Sequence, residues 1–168
     1  MKKAVIVING RGGVGKDTLC DFAAAHFKVK NISSITPIKE IAAQCGWDGR
    51  KDNKSRKFLS DLKKLCVDYN DYPTAWALGQ YKDFQATDEE IMFVHIREKE
   101  EIAKFVLATE GKAKTLLIRG GERMSSEKYG NVSDDGVEDY SYDYYFTNDK
   151  ALDVAEIEFI EFLEEITK

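Results

Sequence analysis

The apolar positions of this chain fall into two rhythms. AVIVI at residues 4–8 is a continuous β-branched run, as in a strand buried on both faces of a parallel sheet. Beyond it the period lengthens: Leu19, Phe22, Ala23, His26 and Phe27 recur at helical spacing and predict a helix over residues 15–27. VKNISSI (29–35) predicts a weaker strand, and PIKEIAAQC (37–45) a short helix with Pro37 in its first turn. After Gly46 and Gly49, Phe58, Leu62, Leu65 and Cys66 share one face of an amphipathic helix over residues 55–69, and a further helix covers 74–84. EIMFVHI (90–96) is a strong buried strand, followed by a helix that stops at Gly111. KTLLI (114–118) and YDYYF (142–146) are two more strands, separated by a polar loop over 120–142. The final helix, 150–166, turns Leu152, Ala155, Phe159, Phe162 and Ile166 inward.

Strands alternating with helices predict an α/β fold with a parallel sheet and right-handed crossovers. No repeat or linker divides residues 1–168, which read as a single domain. Two segments exceed what a plain crossover needs. Residues 36–90 predict a helical insert, and residues 119–142 a loop long enough to act as a lid.

Chemistry enters between the first strand and the first helix, in GRGGVGKDTL. Gly10, Arg11, Gly12, Gly13, Val14, Gly15 and Lys16 form the pattern G-x-x-x-x-G-K, the phosphate-binding loop of P-loop proteins. Glycines let backbone N–H groups point inward, and the helix start adds free donors and partial positive charge. Lys16 reaches the terminal phosphates of a bound nucleotide. The Ser or Thr that usually follows the lysine, and coordinates Mg²⁺, is replaced by Asp17. Thr18 is no simple substitute, because one residue along a helix rotates the side chain by about 100°. Asp17 is therefore a candidate metal ligand, as a hard oxygen donor. It is also a candidate contact to an acceptor phosphate, or a helix cap.

Composition narrows the partners. The 168 residues carry a net charge of −5, which disfavours general nucleic-acid binding. The basic residues cluster in the predicted insert: Arg50, Lys51, Lys54, Arg56, Lys57, Lys63 and Lys64 stand against Asp52 and Asp61. That suits a small anionic ligand or, more plainly, a solvated helix face. Cys20, Cys45 and Cys66 show no C-x-x-C spacing, as expected for reduced thiols in a cytoplasmic protein. No apolar run has the length of a membrane span.

The GKDT wording resembles the deoxynucleoside monophosphate kinases of phages and their bacterial relatives, with phosphomevalonate kinase and dephospho-CoA kinase more distant. The resemblance extends along nearly the whole chain. ITPIKEIAA is similar to the family's FADPLKEIA, and SRKFLSDLKKL to the helix that presents an arginine, here Arg56, to the acceptor nucleotide. VHIREKEEI is similar to DVRFPNE, aligning Arg97 and Glu101 with its arginine and glutamate. The closing NVSDDGVEDYSYDYYFTND aligns Ser133, Asp134, Asp143 and Asn148. His95 departs from the pattern, standing where the family has an aspartate. The resemblance implies a three-layer αβα P-loop kinase fold, ATP and Mg²⁺ as cofactors, and a (deoxy)nucleoside monophosphate as acceptor.

Phosphoryl transfer to an already ionised phosphate needs positioning and charge neutralisation more than a strong base. Such a site calls for arginines converging from separate segments. Arg56 and Arg97 are the candidates for the acceptor, and Arg97, Arg119 and Arg123 join Lys16 and Asp17 as candidates for transfer. Tyr69, Tyr72, Trp76, Tyr81 and Phe84 are either a base-stacking wall or core. A different class stays open: a nucleotide-binding module that kept the loop and lost turnover. The expected partners are ATP and a small phosphorylated acceptor, with neither nucleic acid nor membrane, and a homodimer stays open as the assembly.

Overall fold

The computed structural model describes residues 2–120 and 136–168. Five strands, β1 (Ala4–Asn9), β2 (Val29–Ser33), β3 (Ile91–His95), β4 (Ala113–Gly120) and β5 (Tyr144–Asn148), form one sheet in the order β2-β3-β1-β4-β5. Every neighbouring pair is parallel. The helices are α1 (Lys16–His26), α2 (Thr36–Gln44), α3 (Asn53–Asn70), α4 (Tyr72–Gln85), α5 (Lys99–Ala108) and α6 (Leu152–Ile166). Each expected element is present, with ends shifted by a few residues, as fraying termini allow.

The alternation of β1 makes two cores. Val5 and Val7 point to one face, where Met92, Val94 and Leu117 meet Tyr81 and Phe84 of α4 and Ile102 and Phe105 of α5. Ile6 and Ile8 point to the other, against Leu19 and Ala23 of α1 and Phe159 and Leu163 of α6. Each fully buried large apolar side chain contributes about 1.5–3 kcal/mol, so the sheet with α1, α4, α5 and α6 holds most of the stability. The result is the three-layer αβα arrangement, with β1 at its centre.

Three details depart from the sequence expectation. Leu152 is exposed rather than inward, because it occupies the first position of α6, ahead of the sheet; Ile160 and Leu163 fill that face instead. His26 is also exposed, with Nε2 3.1 Å from Glu156 Oε1. The third concerns α3. Phe58, Leu62, Leu65 and Cys66 do share a side, but no residue of α3 is fully buried, and Leu59, Leu62, Lys63, Cys66 and Val67 are half-buried. It is tied down by α2, by α4 and by ion pairs, among them Lys63 to Glu98 at 2.8 Å.

Candidate functional site

β1 ends at Asn9, whose fully buried amide is the anchor beneath the glycine loop. Its Oδ1 accepts from Gly10 N at 2.9 Å, and its Nδ2 donates to the carbonyl of Arg97 at 3.1 Å and to the Tyr142 hydroxyl at 2.9 Å. Tyr142 in turn donates to the Val137 carbonyl at 2.7 Å. One amide thus joins the exits of β1 and β3 to the chain entering β5. The sequence reading missed Asn9; the signal was a lone polar residue closing an apolar strand before the glycines.

The loop then passes close to its neighbours. A Cβ on Gly10 would lie 2.8 Å from the Ile118 carbonyl oxygen, a backbone atom that cannot move aside cheaply. Gly15 adopts φ +83° and a Cβ there would meet Asn148 Nδ2 at 2.5 Å. That Nδ2 donates to the Val14 carbonyl at 2.8 Å, so β5 fastens the loop where it turns into α1. Gly15 is the N-cap of α1, and no side chain caps the helix start. Asp17 sits inside the first turn with its side chain exposed, so it is not the N-cap. The helix start thus has no side-chain cap, and the exposed Asp17 stands beside it in the first turn.

These elements open onto a cleft of about 1680 Å³ at the carboxyl ends of β1, β2 and β3. In open parallel sheets this edge, where successive crossovers diverge from a central strand, carries the ligand crevice. Residues 11–18 line it on one side, Arg56 and Lys63 of α3 on another, and His95 at the end of β3 and Arg97 just past it complete the lining named here. Arg56 and Arg97 therefore converge with Lys16 and Asp17 although they lie far apart in the chain. The space exceeds the roughly 300–1,000 Å³ of a single small-molecule site, which leaves room for two ligands.

The electrostatics of the cleft are those of a cation-rich pocket. Burial, with the charge of Arg97 added, lowers the Lys16 ammonium to about 8. Burial, then the charge of Lys16, pushes the His95 imidazole down to about 4, so His95 is neutral near pH 7. Its Nε2 lies 2.6 Å from Asn31 Oδ1, where a neutral ring serves as donor. Burial pushes the Cys20 thiol up to about 12 and leaves it inert. On the α3 side of the cleft Lys63 Nζ lies 3.1 Å from the buried Glu101, which Ser34 Oγ also approaches at 3.4 Å. Burial pushes the Glu101 carboxyl up and Lys63 opposes it.

The other candidates sit elsewhere. The Arg119 guanidinium forks onto Glu138, 2.8 Å from Nη2 to Oε1, and lies 4.5 Å over the Tyr145 ring, outside the residues lining the cleft. Arg123, Ser133 and Asp134 lie outside the described residues, as does most of the loop expected over 119–142; Arg119 and Gly120 themselves belong to β4. Asp143 Oδ2 accepts from Thr115 N and Oγ1 at 2.9 and 3.1 Å, a tie between strands. Tyr81 and Phe84 are buried in the first core and Trp76 packs against it, while Tyr69 and Tyr72 face solvent. None of the five aromatic residues lines the cleft.

No family model matches the chain, and no curated protein matches it in sequence. Solved structures do match in shape. The dephospho-CoA kinase from Campylobacter jejuni superposes with a TM-score of 0.58 at 17% identity, over 99% of this chain and 98% of its own. The chain has the P-loop kinase fold. A gluconokinase from Sinorhizobium meliloti superposes with a TM-score of 0.52 at 14% identity, over 98% of this chain and 93% of its own. At these identities the P-loop kinase fold is what is shared. Among the described residues no helix is long and apolar enough to cross a membrane.

Proposed function

We propose that this protein transfers the γ-phosphoryl group of ATP to a small phosphorylated acceptor. The observation that carries the proposal is the convergence of Lys16, Asp17, Arg56 and Arg97 on one cleft beneath an uncapped helix start. The loop amides and Lys16 would hold the β- and γ-phosphates, whose charge restores the ammonium that burial disfavours. Among the described residues no three His, Cys, Asp or Glu side chains gather to hold a metal. Mg²⁺ suits such a site, since it commonly takes one or two carboxylates and completes its shell with phosphate oxygens and water. Of the carboxylates lining the cleft, Asp17 is the one next to Lys16 in the loop-to-helix turn, and a bound Mg²⁺ held there would neutralise charge on the transferring group. Arg97 would steady the transferring phosphoryl group beside Lys16. Arg56, on α3, would hold the anionic part of the acceptor. An acceptor oxygen attacks the γ-phosphorus, the bond from the γ-phosphorus to the β–γ bridging oxygen breaks, and ADP leaves with that electron pair.

The GKDT resemblance favours a (deoxy)nucleoside monophosphate as the acceptor, and the likeness to a dephospho-CoA kinase favours dephospho-CoA as the second reading. The test is ADP release from Mg-ATP with each deoxynucleoside monophosphate, dephospho-CoA and a phosphorylated sugar offered in turn. ADP formed with one acceptor and lost in Lys16→Ala supports the transferase. Tight ATP binding with no acceptor-dependent ADP from any of them assigns the chain to the non-catalytic nucleotide-binding class.

A further inference from the structure

The charges of α3 are sorted by side. Arg56, Lys63 and Lys64 line the cleft and no aspartate of the helix does; Asp61 and Asp68 lie off the lining, together with Lys54 and Lys57. Away from the cleft the signs are mixed, and Lys57 pairs with Asp61 at 2.6 Å, as on any solvated helix face. Towards the cleft they are all positive, in a chain whose net charge is −5. Lys51, just ahead of α3, and Lys39 of α2 add two more cations to the same lining.

Local carboxylates account for only part of this charge. Lys63 Nζ lies 2.8 Å from Glu98 and 3.1 Å from Glu101. Among the described residues Lys39, Lys51, Arg56 and Lys64 form no ion pair, and all four are exposed. Apart from Asp17 and the two partners of Lys63, the lining offers one carboxylate, Glu100 of α5. Uncompensated like charge gathered in a cleft concentrates anions there.

The amount and the spread of this charge say what kind of anion fits. A phosphomonoester brings about −1.5 to −2 near pH 7, short of what four unpaired cations and one carboxylate call for. Arg56 and Lys64 are eight residues apart, which is about 12 Å of helix rise. Drawing every cation onto one phosphate would crowd like charges around a group that brings two charges at most. Two phosphate groups set apart along α3 meet each cation where it stands.

We infer that the acceptor carries two separated phosphate groups on a small scaffold, as in a nucleoside or sugar bisphosphate, one held by Lys51 and Arg56 near the start of α3 and the other by Lys64 further along. That this ligand is the acceptor rests on the phosphotransferase reading; that it is doubly phosphorylated rests on the charges of the cleft.

Calorimetric titration of the chain saturated with Mg²⁺ and a non-hydrolysable ATP analogue tests this on two matched pairs: thymidine 5′-monophosphate against thymidine 3′,5′-bisphosphate, and fructose 6-phosphate against fructose 1,6-bisphosphate. At low ionic strength, where exposed charges are least screened, one of the bisphosphates is expected to bind at least about tenfold tighter than its monophosphate, the gain from one further charge-assisted contact. Lys64→Gln should shrink that ratio to a few-fold at most. Lys54→Gln, which removes the same charge off the lining, should leave the ratio unchanged. Both lysines are exposed, so neither variant threatens the fold. Equal affinities within both pairs overturn the inference, and so does a preference that the two variants lower alike. ADP release from Mg-ATP with the preferred bisphosphate is read separately. A bisphosphate preference lost in Lys64→Gln but without acceptor-dependent ADP upholds the double anion site and overturns the phosphotransferase reading instead.

Discussion

Replacing Gly15 by alanine probes how β5 shapes the phosphate loop. Two effects combine. The first is backbone conformation: at φ +83° an alanine suffers the left-handed penalty of about 1–2 kcal/mol. The second is a side-chain conflict, since the new Cβ would sit 2.5 Å from Asn148 Nδ2. Asn148 can rotate away, but it then abandons its 2.8 Å bond to the Val14 carbonyl. That loss costs about 1 kcal/mol, more if no water replaces the donor. Together Gly15→Ala should destabilise by about 2–3 kcal/mol. For a chain of this size that lowers Tm by about 5–10 °C. The decisive measurement is a double-mutant cycle. In an Asn148→Ala background the conflict is gone, so the same substitution should cost only the backbone share, leaving a coupling of about 1 kcal/mol. Thermal or urea unfolding of the four proteins measures it. Equal costs of Gly15→Ala in both backgrounds would refute the clasp between β5 and the loop.

Three further outcomes follow from the site. Asp17→Asn keeps the shape and loses the charge; if the carboxylate organises metal or acceptor, turnover should fall by at least about 10²-fold, and unchanged turnover would show it idle. Asp17→Ser separates the roles: restored activity with the same Mg²⁺ dependence means a substitute ligand, and good ATP binding with poor transfer means an acceptor contact. Arg56→Ala should raise the apparent KM of the acceptor about tenfold or more while leaving that of ATP unchanged, and steady-state kinetics with each substrate varied would reveal the opposite pattern. His95, held near 4 in the folded chain against an ordinary 6.5, takes up a proton more readily when unfolded. Stability is therefore lost as pH falls from 6.5 towards 4 and unaffected above that window. His95→Gln, which keeps a donor for Asn31, should flatten that part of the profile, and urea midpoints across pH 4–7 would expose an unchanged slope.

The glycine loop was legible because its chemistry is contiguous. A buried strand, glycines, a lysine and a helix start follow one another, so local geometry alone assembles the glycine loop and the uncapped helix start of residues 10–18. The layered αβα architecture was legible for a similar reason: strand and helix periods report burial on two faces or on one. Strand order, however, is a long-range property, and it decided everything that crosses the sheet. Only the pairing of β1 with β3 and β4 brings Asn9 to the Arg97 carbonyl and to Tyr142, 133 residues later. Only the position of β5 at the sheet edge lets Asn148 reach Val14. Arg119 read as a candidate for the site because it ends a strand, yet the nearby Glu138 and Tyr145 hold its guanidinium away from the cleft lining. The direction of the α3 stripe was equally invisible. Periodicity says that Phe58, Leu62, Leu65 and Tyr69 share a side, but which side meets the core depends on how α2 and α4 seat the helix. Here Arg56, Lys63 and Lys64 line the cleft, while Leu65 and Tyr69 stay exposed.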